Sequence, residues 1–130
     1  MEKILKIEEI KENYIEGYHI TTDKQVIKLL LDVDQQCCEN VGHLMSEDNL
    51  DEFVGAELLE VVLSLSPNKP EKLEARNIDW NGEHFDGNII FVTLLTSNGV
   101  LQFVAYNEHN GYYGHDVEII SEQLTHKQTL

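Results

Sequence analysis

Residues 25–33, QVIKLLLDV, place Ile27, Leu29, Leu31 and Val33 at every second position, which predicts a strand with one buried face. The β-rich run at residues 14–20, YIEGYHI, precedes it, and Thr21-Thr22-Asp23-Lys24 supplies turn chemistry, so the two segments read as a hairpin. A second hairpin is written at residues 88–96, NIIFVTLLT, and 100–106, VLQFVAY, around Ser97-Asn98-Gly99, where Asn-Gly accommodates positive φ. Residues 56–65, AELLEVVLSL, have helix propensity, but Val61-Val62-Leu63 followed by Ser-Pro favours a strand. Residues 116–120 predict a last one.

Two segments read as helical. In residues 1–13, Ile7 and Ile10 are spaced as on a helix while Leu5-Lys6-Ile7 alternates, and a short helix before a strand is the expectation. Residues 46–55 predict a second short helix, with Ser46 as N-cap, Glu47 and Asp48 in the first turn, Leu50, Phe53 and Val54 as its apolar face, and Gly55 ending it. Residues 66–87 are punctuated by Pro67, Pro70, Asn81-Gly82 and Asp86-Gly87 and predict an exposed excursion, pinned to the body by Trp80 and Phe85. The tail from Thr125 is polar and expected to fray. No repeat or linker divides residues 1–130, so the expected fold is α+β: one domain, a twisted antiparallel sheet of about six strands, and one or two short helices.

Composition changes this picture mainly through charge. With 42% hydrophobic and 25% charged residues the chain has the make-up of a globular protein of one core. No stretch approaches a membrane span, and the charged start of the chain has no signal-peptide apolar region, so an intracellular protein is expected. Nine basic residues stand against 24 acidic ones, a net charge of −15. Nucleic acid and anionic membranes are repelled by such a surface, and a basic protein partner is attracted. Solubility alone is the plain alternative. From Asp32 to Glu60 there are nine carboxylates (Asp32, Asp34, Glu39, Glu47, Asp48, Asp51, Glu52, Glu57, Glu60) and no Lys or Arg. Such a row imitates nucleic-acid phosphates before an Arg/Lys groove, or is simply a solvated face.

Specific chemistry is sparse. Cys37 and Cys38 are adjacent, a poor geometry for a disulfide and for two vertices of a tetrahedral metal site. With His43 and His115 they are the candidate metal ligands, and packing of reduced thiols is the competing reading. A Cys–His nucleophile lacks a Gly-rich oxyanion turn beside it, so neither catalytic residues nor a cofactor are expected. The histidines after residue 77 follow neither H-x-H nor H-E-x-x-H spacing. Asn107 to His115, NEHNGYYGH, reads either as a binding loop in which Tyr112 and Tyr113 give stiff contact area, or as a tight turn whose tyrosines cap the core.

The run Asp34-Gln35-Gln36-Cys37-Cys38-Glu39, the acidic DNLDEFVGAELLEV segment and Asn110-Gly111-Tyr112-Tyr113 together resemble a small domain-of-unknown-function family of bacteriophages and their bacterial hosts. The resemblance spans residues 15–120 and departs at Glu108-His109, where a basic residue is expected, and in the longer excursion at residues 66–87. It implies a phage-type setting in the host cytoplasm and brings no catalytic residues. The expectation is a non-enzymatic accessory protein that inhibits a basic bacterial defence nuclease, as anti-CRISPR proteins do. Glu47, Asp48, Asp51 and Glu52 would make electrostatic contact and Tyr112 and Tyr113 would serve as anchors. The rival is a small-ligand or metal-binding protein, sequestering a nucleotide signal or working as a thiol/histidine enzyme, with a site at Cys37, Cys38, His115 and the loop at residues 110–114, where phosphate-rich ligands would require Arg76 and Lys72 to fold over it. A phage scaffold component is a third possibility.

Overall fold

The structure, a computed structural model, describes residues 1–34, 40–78, 80, 87–108 and 114–130. Its backbone hydrogen bonds are almost wholly those of antiparallel strands. These are β1 (Glu2–Glu12), β2 (Ile15–Thr22), β3 (Val26–Asp32), β4 (Asn40–Met45), β5 (Glu57–Ser64), β6 (Gly87–Thr96), β7 (Gly99–Glu108), β8 (Asp116–Ile120) and β9 (Thr125–Thr129). They form one nine-stranded sheet in the order β4-β7-β6-β5-β1-β2-β3-β8-β9. Helical structure among the described residues is a 3-10 turn at Leu50–Phe53 and one five-residue helix, α1 (Pro70–Glu74). The expected α+β fold of about six strands is therefore corrected to a nearly all-β one.

β1 joins two halves of the sheet. It pairs with β5 only at Glu2↔Leu58 and Lys3↔Glu57, then leaves it to pair with β2 as far as Glu12↔Ile15. A register shift between Ile4 and Lys6 marks the departure. Bulges bend strands and shift side-chain alternation by one, so Ile4 and Ile7, three apart, both pack on the core. The helix-like spacing of this segment comes from that bulge, and the predicted N-terminal helix is a strand. Asn13 and Tyr14, with φ of 50° and 66°, turn it into β2 as a two-residue loop of positive φ needs.

The two halves face each other across one core. Ile20, Ile27, Leu29 and Leu31 of the β1-β2-β3-β8-β9 half meet Val92, Leu94, Leu101 and Phe103 of the other, all fully buried. The predicted alternating face of β3 is thus confirmed, and both predicted hairpins form. Every residue of β7 from Leu101 to Asn107 is buried, because its opposite side is covered as well. There Val104 and Tyr106 join Leu44, Phe91, Leu73 and Ile78 in a second cluster. Leu73 and Ile78 lie in the stretch expected to be an exposed excursion; α1 and the turn after it are instead a lid on the sheet. Trp80 does pin the stretch, edge-on to Phe91 at 6.5 Å, while Phe85 lies outside the described residues.

Two further expectations are corrected, and one strand has no counterpart in the sequence reading. Ser46 does not cap a helix. It is buried at the end of β4, where its hydroxyl accepts from the Gln102 backbone N–H at 2.9 Å, and the 3-10 turn begins after Asn49 without a side-chain cap. Residues 40–45 form β4, whose apolar alternation is hidden by Gly42 and His43. The polar tail is the edge strand β9, paired to β8 from Ile120↔Thr125 to Asp116↔Thr129, and Leu130 beyond it is buried. An edge strand with little buried surface leaves no hydrophobic pattern to read.

Candidate functional site

β4 ends the sheet among the described residues. Two side chains from the lid bind carbonyls on its outer edge. Arg76 donates from Nη1 to the His43 carbonyl at 2.8 Å and to the Tyr106 hydroxyl at 3.1 Å. Lys72 donates from Nζ to the Met45 carbonyl at 3.1 Å and to Asp48. Carbonyls two residues apart on a strand point the same way, so both cations lie along one edge. Tyr106 stands directly opposite Gly42. A Cβ at Gly42 would lie 2.6 Å from the Tyr106 hydroxyl oxygen, so the close passage of the ring requires glycine there.

A cleft of about 600 Å³ opens beside this edge, between β4, the lid, and the turn end of the β1–β2 hairpin. Its walls carry Arg76, Lys72 and Lys11 on one hand and Glu9, Glu16, Glu47 and Asp48 on the other. His43 and Tyr18 reach it from the core. The His43 ring stacks on Phe103 at 5.9 Å and meets Tyr18 edge-on at 5.8 Å. Its Nε2 lies 3.1 Å from Glu16 Oε1. Burial lowers the His43 pKa, and the bond to Glu16 opposes this without reversing it. At neutral pH the ring is therefore neutral, and Nε2–H donates to the Glu16 carboxylate rather than forming a true ion pair. The other ring nitrogen, Nδ1, is then a buried acceptor without a hydrogen-bond partner among the described residues. Burial, and then the nearby Glu9 carboxylate, raise the Tyr18 pKa and keep its hydroxyl protonated.

Of the four carboxylates expected to form a contact row, two are already engaged. Glu47 lies 3.6 Å from Lys69 Nζ, and Asp48 is paired with Lys72, whose hydrogen bond and charge lower the Asp48 pKa. The acidic run contains no base of its own, but the lid supplies two. Asp51 and Glu52 remain exposed on the 3-10 turn, with no ion pair among the described residues. Cys37, Cys38, Tyr112 and Tyr113 lie outside the described residues. His115 is buried, with Nδ1 2.9 Å from the Asp32 carbonyl, and its backbone pairs with Leu130 in both directions. Among the described residues no three His, Cys, Asp or Glu side chains converge on a possible metal position, and no helix is long and apolar enough to cross a membrane.

Sequence reasoning missed Arg76, Tyr106, Gly42, Tyr18 and Glu16 as a group. One signal was present: Arg76 is the sole arginine of a chain with 24 acids. Comparison with curated proteins and with solved structures gives no match. The family described as Domain of unknown function (DUF7448) matches residues 2–119, and the chain belongs to that family.

Proposed function

We propose that this protein is a non-enzymatic accessory protein of phage type, a stoichiometric inhibitor that occupies the basic groove of a bacterial nucleic-acid-targeting defence protein. The observation that carries the reading is the exposed acidic pair Asp51 and Glu52 on the 3-10 turn, without an ion pair among the described residues, in a chain of net charge −15. Carboxylates without local counter-ions create a field that steers a basic partner and weakens with salt. Glu47 and Asp48 take part only if a partner's cations displace Lys69 and Lys72. The partner is a basic host protein in the bacterial cytoplasm, and neither nucleic acid nor membrane is bound directly. The test is D51K/E52K in a pull-down from host lysate at low and high salt. Loss of a salt-sensitive basic partner supports the reading, and retention of the same partner at unchanged salt dependence removes it.

A second reading, a small-ligand binder, is favoured by the cleft beside β4, which Lys72 and Arg76 line.

A further inference from the structure

The charges of the cleft cancel unevenly. Lys72 is spent on Asp48, and Lys69 faces Glu47. Arg76 has no carboxylate within ion-pairing distance among the described residues. A guanidinium carries five N–H donors, and the two on Nη1 are used by the His43 carbonyl and the Tyr106 hydroxyl. The three on Nε and Nη2 have no partner among the described residues. They form the side-on fork that matches a carboxylate or phosphate with two parallel bonds. Because both anchors are neutral acceptors, they hold the fork in place without consuming its charge.

Glu9 and Glu16 line the same cleft as Arg76. Glu16 is held by His43, and Glu9 makes one long contact of 3.5 Å with the Tyr18 hydroxyl. Arg76 and Glu9 both exert their charge on His43 and on Tyr18, so the cation and the acids flank the same two rings. A dianionic phosphate in this cleft would meet Glu9, Glu16 and the field of a chain with charge −15. A simple cation would meet Arg76. A ligand with one charge of each sign satisfies both walls and carries no net charge into the field.

We infer that the cleft beside β4 binds a small zwitterion of the amino-acid class, its carboxylate on the Nε/Nη2 edge of Arg76 and its ammonium toward Glu9 and Glu16. The inference rests on the small-ligand reading and narrows it to one chemical class. The volume of about 600 Å³ admits an amino acid or a short peptide.

The test is calorimetric titration of the full chain with the twenty amino acids and with di- and triglycine. Acetate, methylamine and inorganic phosphate serve as charge controls. At least one zwitterion is expected to bind saturably, with acetate and methylamine at least about tenfold weaker, the loss expected when one charge-assisted bond is missing. R76Q is expected to remove binding. Arg76 also caps the β4 edge, so Y106F provides a variant that keeps the charge and loosens only the fork, weakening binding with an unchanged melting temperature. E9Q/E16Q is expected to weaken the zwitterion and to strengthen acetate, a crossing of affinities that a purely structural role does not produce. Phosphate or acetate binding through Arg76 as tightly as any zwitterion would overturn the inference and leave the small-ligand reading standing. No binding by any probe, or binding unchanged in a folded R76Q, overturns both.

Discussion

Two buried ionisable groups at different places in the sheet are treated in opposite ways. Glu2, 7% exposed, starts β1 and lies under the β2–β3 and β8–β9 turns. It accepts from the Thr22 hydroxyl at 2.6 Å and from the side-chain amides of Gln25 and Gln123 at 2.7 Å each. Burial alone would raise its pKa, but these three bonds together, with the Lys24 charge, outweigh that and lower it. His43, 9% exposed, has one hydrogen-bond partner among the described residues for its two nitrogens, and burial decides its pKa. A fully satisfied charge clamps three chain segments together. A half-satisfied ring lies at a cleft beside a guanidinium with unused donors. For these two ionisable groups, the degree of satisfaction distinguishes the clamp from the cleft.

Removing the lid should break the comparison most severely, because only the His43 side depends on it. L73A deletes a fully buried side chain and is expected to cost about 2–5 kcal/mol in denaturant unfolding. Hydrogen exchange should quicken along the β4 edge and stay unchanged at the Glu2 clamp. If both ends loosen equally, the lid is not a local element. Next in size is E2Q, which sets an amide N–H donor against groups that themselves donate and is expected to cost about 1–3 kcal/mol at pH 7. A carboxylate with a lowered folded pKa contributes stability that is fully present above its ordinary value of 4.5 and is lost as pH falls through the folded value. The gap between wild type and E2Q should therefore close in acid, as followed by urea melts from pH 7 down to pH 3.

The smallest effect is expected at His43. H43L loses the bond to Glu16 and also removes the orphaned Nδ1, so at pH 7.5 its stability should lie within about 1 kcal/mol of wild type. For a histidine held below 6.5 in the fold, the unfolded chain binds more protons between the folded and unfolded values. Wild-type stability should then fall from about pH 6.5 downward relative to H43L, with no further change below the folded value. The opposite slope in paired urea melts would mean that the contact with Glu16 is an ion pair after all.

What was legible follows from the range of the interaction involved. The β2–β3 and β6–β7 hairpins and β5 were readable because alternation and turn residues are local, and Ile27, Leu29 and Leu31 fall on the core as written. The β1–β2 turn was not, because its positive φ falls on Asn13 and Tyr14 with no glycine to announce it. β9 was not, because a polar edge strand is defined only by its neighbour. Leu73 and Ile78 looked like the sparse apolar residues of a loop until β7 supplied the surface they cover.

The sequence by itself determined one domain-sized chain rich in strands, its strongest hairpins and a surface dominated by negative charge. Only the tertiary structure decided where that charge is offset, which strands lie side by side, and that Arg76, Tyr106, His43 and Glu16 meet. The physical reason is that alternation and net charge are sums over neighbouring residues, whereas a cleft depends on register and on a bulge in β1. Both are settled by contacts between residues far apart in the chain, and the bonds from Arg76 to His43 and Tyr106 span 33 and 30 positions.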